Sequence, residues 1–412
     1  MRALFLAICC ALSAFAQTLP LHTQSRWIMD ADNTRVKFRC INWAGHGETN
    51  IPEGLHKQSI DHIADFIADN GFNCVRLTYS IDHALAPNTT VRDSFTAAAS
   101  AANLTVDTLD GLYSRVVEKN PFVGTATTQD VFSAVIAALW DRKVMTVLDN
   151  HVSKASWCCN IDDGNGWWDQ ASGYIAINSQ YFKTDEWLSG LSAQATWAKT
   201  QPGIVAMSIR NELRPFPLLQ DVDGHDDWYN FVGQGGATVH AANPDVLVII
   251  GGTQSATDLA FIRTGRNLDY SAWADKHVWE MHAYSFTVTF PNPTNSCDVL
   301  KGEYGLFDGF LLTQDKDYTA PLFVSEFGVG LVGGPNDGIS DGDNSYFECI
   351  SSWMQSNDAD WALWALQGTY YIREGVAEKE ETWGLIDSEW EGLRNDKFLP
   401  KMAELFKVTQ GP

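Results

Sequence analysis

Ile204-Val-Ala-Met-Ser-Ile-Arg-Asn-Glu-Leu213 opens as a run of apolar and small residues and ends abruptly in Arg210, Asn211 and Glu212. A strand covered by helices reads as a continuous apolar run, and in parallel α/β folds ligands gather at the carboxyl ends of such strands. A second run, Pro321-Leu-Phe-Val-Ser-Glu326-Phe-Gly328, has the same form and closes in a single carboxylate followed by glycine. Outward from these two, residues 35–43, 72–79, 144–151, 245–252, 277–284 and 360–366 read as six further strands. Helical periodicity fills the gaps over residues 59–70, 128–141, 187–200 and 226–242, with Gly71 as the stop of the first. Alternation at crossover spacing, with no Ser/Thr/Pro-rich linker, predicts one (β/α)8 TIM barrel over residues 17–412. A short N-terminal hairpin is expected from residues 26–30 and 35–43 around the turn at 31–34. Residues 82–124 read as a surface loop excursion.

Composition narrows the partners. The formal net charge of −23 would repel nucleic acid and anionic lipid surfaces, whereas a neutral polymer is indifferent to it. Aromatic residues make up 12% of the chain, enough to stack on sugar faces as well as to fill a core. Residues 1–16 carry one positive charge, a short apolar stretch and Ala14-Phe15-Ala16, the pattern of a signal peptide, so the mature protein is expected to be secreted, extracellular and free of membrane anchors. A monomer is expected. Of eight cysteines, Cys9 and Cys10 fall in the leader; the other six suit an oxidising compartment, with Cys297 and Cys349 the expected pair and the remaining pairings open. Asn88-Thr-Thr and Asn103-Leu-Thr are glycosylation sequons. No metal or cofactor is expected: cysteine spacings match no zinc pattern, and the acidic runs at 221–227 and 337–343 lack a full calcium-loop ligand set.

The strand ends collect a chemical set: Arg76, His151, Asn211 with Glu212, His282 with Tyr284, Glu326 and Trp364, with Trp43 closing the first strand. In a barrel they meet at one mouth. Two carboxylates on separate rigid strands are the equipment of glycoside hydrolysis, one as acid and base and the other as nucleophile. Taken alone, each Glu also reads as a solvated loop residue, each His as a satisfied core or surface residue, and Arg76 as half of a buried ion pair with no catalytic role. Arg76 in an apolar frame demands a carboxylate partner in any case. Trp167 and Trp168 read as outer sugar subsites or as loop packing, and Glu374 and residues 378–381 as a cleft border or a wet surface.

The Asn211-Glu212 pair and the later Glu326 resemble the family-5 glycoside hydrolases, retaining β-glycosidases, over about residues 43–364. Leu148-Asp-Asn-His-Val-Ser-Lys154, Trp157-Cys-Cys159, Asp163-Gly-Asn-Gly166 and Tyr370-Tyr-Ile-Arg-Glu-Gly375 are similar to the plant and fungal cellulase-like branch. The resemblance implies Glu326 as nucleophile, ionised with help from Arg76 and Tyr284, and Glu212 as acid/base. It further implies support or substrate contact by Arg76, His151, Asn211, His282, Tyr284, Trp364 and Trp43, with Trp364 flooring the subsite of the cleaved sugar. The implied substrate is a β-glycan polysaccharide or oligosaccharide, a gluco-configured β-glucan first. Without a recognisable cellulose-binding module in these residues, soluble rather than crystalline substrate is expected. The alternatives are a mannan or small β-glycoconjugate hydrolase on the same site, and a non-catalytic glycan-binding barrel. A serine hydrolase is a weaker alternative still, since no G-x-S-x-G elbow is present.

Overall fold

Side chains alternate along a strand with period two, so each barrel strand sends one set outward to the helices and the other into the centre. The computed structural model describes residues 17–286 and 296–412; the expected leader lies outside the described residues. A short hairpin, β1 (His22–Gln24) and β2 (Trp27–Met29), precedes eight parallel strands: β3 (Arg39–Trp43), β4 (Cys74–Ser80), β5 (Met145–Val152), β6 (Ile204–Ser208), β7 (Leu247–Gly251), β8 (His277–Ala283), β9 (Leu322–Phe327) and β10 (Asp360–Leu363). They close in sequence order, β10 pairing back onto β3, which is the expected barrel.

The inward face is layered. At its amino-terminal end Cys40, Cys74, Met145, Val147, Ala206, Leu247, Ile249, Val278, Phe323 and Ala362 form one apolar cluster, joined from below by Leu21, Ile28, Val36 and Phe38. Two residues further along the same strands the inward positions turn polar: Asn42, Arg76, Asp149, Glu280 and Ser325, all buried. A greasy plug thus carries a charged layer, and the cleft opens above it. The outward faces pack on the helices in a second, larger cluster that includes Ile60, Ile63 and Ile67 of the first helix, Ile60–Asp69.

Two expectations are corrected. The hairpin pairs 22–24 with 27–29, not 26–30 with 35–43. The Asp30 carboxylate accepts the backbone N–H groups of Asp32 and Thr34 at 3.0 and 2.8 Å, which curls residues 30–34 into a local turn and leaves a single bridge between Met29 and Arg35. Residues 82–124 are mostly helical, with helices at Ile81–Leu85, Val91–Ala101 and Val106–Lys119. The polar triplets that suggested loop are N-caps: the sequon threonines Thr90 and Thr105 each accept a backbone N–H of the helix that follows. The two acidic runs flank helix starts, supplying Asp226 and Asp227 to the first turn of Asp226–Ala242, and Asp341 and Asp343 to that of Asp341–Asn357. There they oppose the positive end of the helix dipole.

Three disulfides are formed: Cys40–Cys74 between adjacent barrel strands, the neighbours Cys158–Cys159, and the expected Cys297–Cys349. The last ties Cys297–Phe307 to Asp341–Asn357 across 52 residues. Replacing both cysteines by serine should lower unfolding free energy by about 2–4 kcal/mol, read from urea midpoints at constant slope; an unshifted midpoint would contradict a stabilising role.

Candidate active site

The centre of the mouth is the Arg76 guanidinium, fully buried and projecting from β4. Its Nη1 donates to Glu326 Oε1 at 2.7 Å and to Asn42 Oδ1 at 3.0 Å. Nη2 donates to Asn211 Oδ1 at 2.9 Å and lies 3.0 Å from Asp149 Oδ1 and 3.4 Å from Glu280 Oε1. Burial works against the charge, but the three carboxylates outweigh it and hold the Arg76 pKa above its ordinary value. Arg76 is therefore a permanent cation that fixes one oxygen of Glu326 and the carbonyl end of Asn211.

Glu326 ends β9, and the Tyr284 hydroxyl donates to its second oxygen at 2.9 Å. Burial, with the nearby Glu326 and Glu212 charges, pushes the Tyr284 pKa well above its usual value, so the hydroxyl keeps the proton it donates. Arg76 favours the ionised form of Glu326, as expected, but is not the dominant influence. Burial is the largest influence and raises its pKa, and the Glu212 charge adds to that; His282 and Arg76 offset this only in part.

His282 links the two glutamates. Its Nδ1 stands 2.9 Å from Glu212 Oε1 and 3.6 Å from Glu326 Oε2, while Nε2 lies 3.6 Å from Glu280 Oε1. Burial alone would discharge the ring, yet the Glu326 charge, the hydrogen bond to Glu212 and the nearby Glu280 carboxylate raise its pKa to about 10. One ligand-type atom from each of Glu212, His282 and Glu326 lies within 4.8 Å of the others, so the carboxyl oxygens approach that closely across the imidazolium. The same trio, and His151 with Cys158 and Cys159, have the spacing of a metal cluster. In the second group the sulfurs are already bonded to each other.

Glu212 is held in the left-handed region, φ 40°, an unusual and costly conformation for a residue with a side chain. Its neighbours hold it there: Asn211 N donates to Asn150 O at 2.9 Å, and Arg214 Nη1 to the Glu212 carbonyl at 2.7 Å. Arg214 is itself held by Asp163 at 2.9 Å. His151 Nδ1 is 2.6 Å from Asp149 Oδ2 and so carries the ring proton, leaving Nε2 to accept from Asn211 Nδ2 at 3.4 Å. Burial first, then the Arg76 and His282 charges, keeps His151 neutral. Trp364 stacks on the His151 ring with centroids 5.7 Å apart.

The cleft above these groups has a volume of about 550 Å³; Asn211, Glu212, Tyr284, Glu326, Trp364, Trp157 and Trp383 are among its lining. Trp43 is a correction. It lies at 0% exposure in the outer core, its indole N–H donating to Glu53 O at 2.9 Å, because residue 43 is one step out of phase with the inward residue 42. Trp167 and Trp168 are likewise buried, so loop packing is their role. Arg210 anchors the 153–165 loop through Ser153 at 3.1 Å instead of reaching the cleft. Glu374 and Glu381 do line it, whereas Glu378 pairs outward with Arg115 at 2.9 Å.

Sequence reading missed Asp149, Glu280, His46, Phe286 and Trp383. The first two had a usable signal: each stands two residues before a chosen histidine, on the same face of the same strand. His46 follows β3 and stacks on His151 at 4.0 Å, while Trp383 and Phe286 pack together at 5.8 Å on the far rim. None of these three had a periodic signal, since all sit on loops.

Comparison with known proteins gives a consistent result. The sequence pattern of cellulase, glycosyl hydrolase family 5, matches residues 29–369. A glycosyl hydrolase 5 family protein of Chamaecyparis obtusa is 38% identical over 411 residues, covering 97% of this chain and 68% of the relative. An endoglucanase of Paenibacillus polymyxa is 20% identical, covering 90% and 83%. Among solved structures, the hyperthermophilic endocellulase of Pyrococcus horikoshii superposes with a TM-score of 0.72 at 15% identity, covering 95% of this chain and all of that one; it has also been solved with cellotetraose. The catalytic domain of the major endoglucanase of Xanthomonas campestris pv. campestris gives 0.69 at 18% identity, covering 94% and 99%.

The His282 pKa has a consequence for stability. The ring binds its proton more tightly folded than unfolded, so its contribution is complete below about pH 6.5 and is lost as pH rises toward about 10. Urea midpoints should therefore fall from neutral to alkaline pH, and less steeply in His282→Gln; a midpoint that rises would contradict the assignment.

Proposed function

The chain belongs to glycosyl hydrolase family 5 and is a glycoside hydrolase, and from that premise we propose that it is a secreted, monomeric, retaining endo-acting hydrolase of β-linked glucan. The observation that carries the reading is the Glu212–His282–Glu326 bridge, with carboxyl oxygens within 4.8 Å. Retention calls for carboxyl groups about 5–5.5 Å apart, whereas inversion needs about 6.5–9.5 Å to admit a water. An approach this close between one oxygen of each group supports the retaining reading.

In this reading Glu326 attacks the anomeric carbon while Glu212 protonates the departing oxygen; Glu212 then takes a proton from the water that releases the glycosyl-enzyme. Arg76 and Tyr284 orient Glu326 and hold its charge. Asn211, its carbonyl occupied by Arg76 and one amide N–H directed to His151 Nε2, has its other N–H for the sugar 2-hydroxyl, a contact that strengthens at the transition state. Trp364, backed by His151, offers a flat face to the ring of the cleaved sugar. A glucan substrate is supported by the endoglucanase and endocellulase relatives and by the aromatic rings of Trp157, Trp364 and Trp383 in a lining otherwise rich in polar groups. Three disulfides and the exposed sequon residues Asn88 and Asn103 agree with secretion over residues 17–412 as one catalytic unit.

Purified protein screened on soluble β-glucans, mannan and aryl β-glucosides should favour a β-glucan. Glu326→Ala should fold and bind but lose at least about 10³-fold in kcat, and Glu212→Gln should retain rate only on aryl glycosides with very good leaving groups. Full activity in Glu326→Ala would end the nucleophile assignment. The acid limb of the kcat/KM profile should lie above the ordinary glutamate range, because burial raises the Glu326 pKa and its ionised form is required. A limb at or below that range would count against Glu326 as the group titrated.

A further inference from the structure

The Cys158–Cys159 disulfide serves none of the roles described so far. The stabilisation a cross-link gives by restricting the unfolded chain grows with the length of loop it closes, and neighbours in sequence close almost none. The other two bonds span 34 and 52 residues. A bond between adjacent cysteines therefore has to be explained by its local shape and by what it touches.

It touches the site. Both cysteines line the cleft beside Asn211 and Glu212. Asn211 Nδ2 lies 3.4 Å from Cys159 Sγ and 3.8 Å from Cys158 Sγ, and Arg214, which holds the Glu212 carbonyl, has Nη1 3.8 Å from Cys158 Sγ. Trp157, immediately before the pair, stands against Trp364 at 6.3 Å between centroids and carries the Arg373 guanidinium on its face at 4.0 Å. The disulfide is thus built into the wall between the aromatic floor and the Asn211 amide. Sulfur is a weak hydrogen-bond acceptor. An amide N–H resting on it is held in direction without being strongly satisfied, and a sugar hydroxyl gains it at little cost. Separate thiols or serine hydroxyls would rotate freely, and hydroxyl oxygens would compete for the same N–H.

We propose that the Cys158–Cys159 disulfide is a part of the substrate site, a rigid sulfur-faced wall beside Asn211 that keeps the Asn211 amide aimed at the 2-hydroxyl of the bound glucosyl unit. The proposal rests on the reading of Asn211 as the 2-hydroxyl contact of a β-glucan hydrolase. Cys158 and Cys159 act through Asn211 and are positioning residues.

The test compares wild type with C158S/C159S on an aryl β-cellobioside and on its analogue lacking the 2-hydroxyl of the cleaved sugar. On the first substrate the variant should lose about tenfold or more in kcat with KM changed less than about threefold, since the lost contact is one that strengthens at the transition state. On the 2-deoxy analogue the two proteins should differ by less than about twofold, and their urea midpoints should agree. Dithiothreitol applied to native wild type, with reduction of this pair followed by alkylation and peptide mass, should give the same substrate-selective loss and have no such effect on C158S/C159S. That arm stands even if the serine variant folds poorly. Equal rates on both substrates, or equal losses on both, would overturn the proposal while leaving the glucan reading intact. A wild type inert on both substrates would instead sink the glucan reading, and this proposal with it.

Discussion

A single buried guanidinium sets the geometry of the mouth. Arg76 has no route to solvent, and around it stand Asp149, Glu280 and Glu326 from three other strands, with Asn42 and Asn211 on its remaining donors. Removing one partner from a buried ion pair typically costs about 3–5 kcal/mol because the charge left behind is uncompensated. Fixing Arg76 fixes an oxygen of Glu326, the carbonyl of Asn211 and, through Asp149, the tautomer of His151. Three elements of the site are thus held by a group buried beneath the cleft.

A second cation, His282, divides what remains. It lies between Glu212 and Glu326 and is tied from below by Glu280, so the two cleft carboxylates share one imidazolium while Arg76 serves Glu326 alone. The asymmetry separates their roles: Glu326 has a guanidinium and a phenol, whereas Glu212 has the shared ring and a half-buried position nearer solvent. The left-handed backbone at Glu212 is held by Arg214 and Asp163, which also pin the loop bearing the vicinal disulfide. Backbone strain, loop docking and the placement of Glu212 are one structure.

Reading the chain without coordinates gave the barrel and the two glutamates for a physical reason. Buried parallel strands are apolar, so a polar residue that ends one is conspicuous, and the barrel brings all such ends together. Asp149 and Glu280 were not conspicuous, because they lie one inward step below the ends, and only the strand period applied to His151 and His282 would have found them. Trp43 misled by being large, aromatic and terminal; its phase opposite Asn42 sends it outward to the core. The 82–124 segment was misread because Asn-Thr-Thr and Asn-Leu-Thr are turn-like in composition but act as helix caps. Rim residues such as Trp383 and Phe286 come from loops whose course depends on tertiary packing, and no local pattern announces them.

The central claim is that Glu326 becomes covalently bonded to sugar while Glu212 manages the proton. Its most direct test is brief incubation with an activated 2-deoxy-2-fluoro β-cellobioside, followed by peptide mass mapping and by proton NMR of the first-formed product from an unmodified substrate. The account requires a single fluoroglycosyl label on Glu326 and a product released first as the β anomer. A label on another residue, or release first of the α anomer, would contradict it.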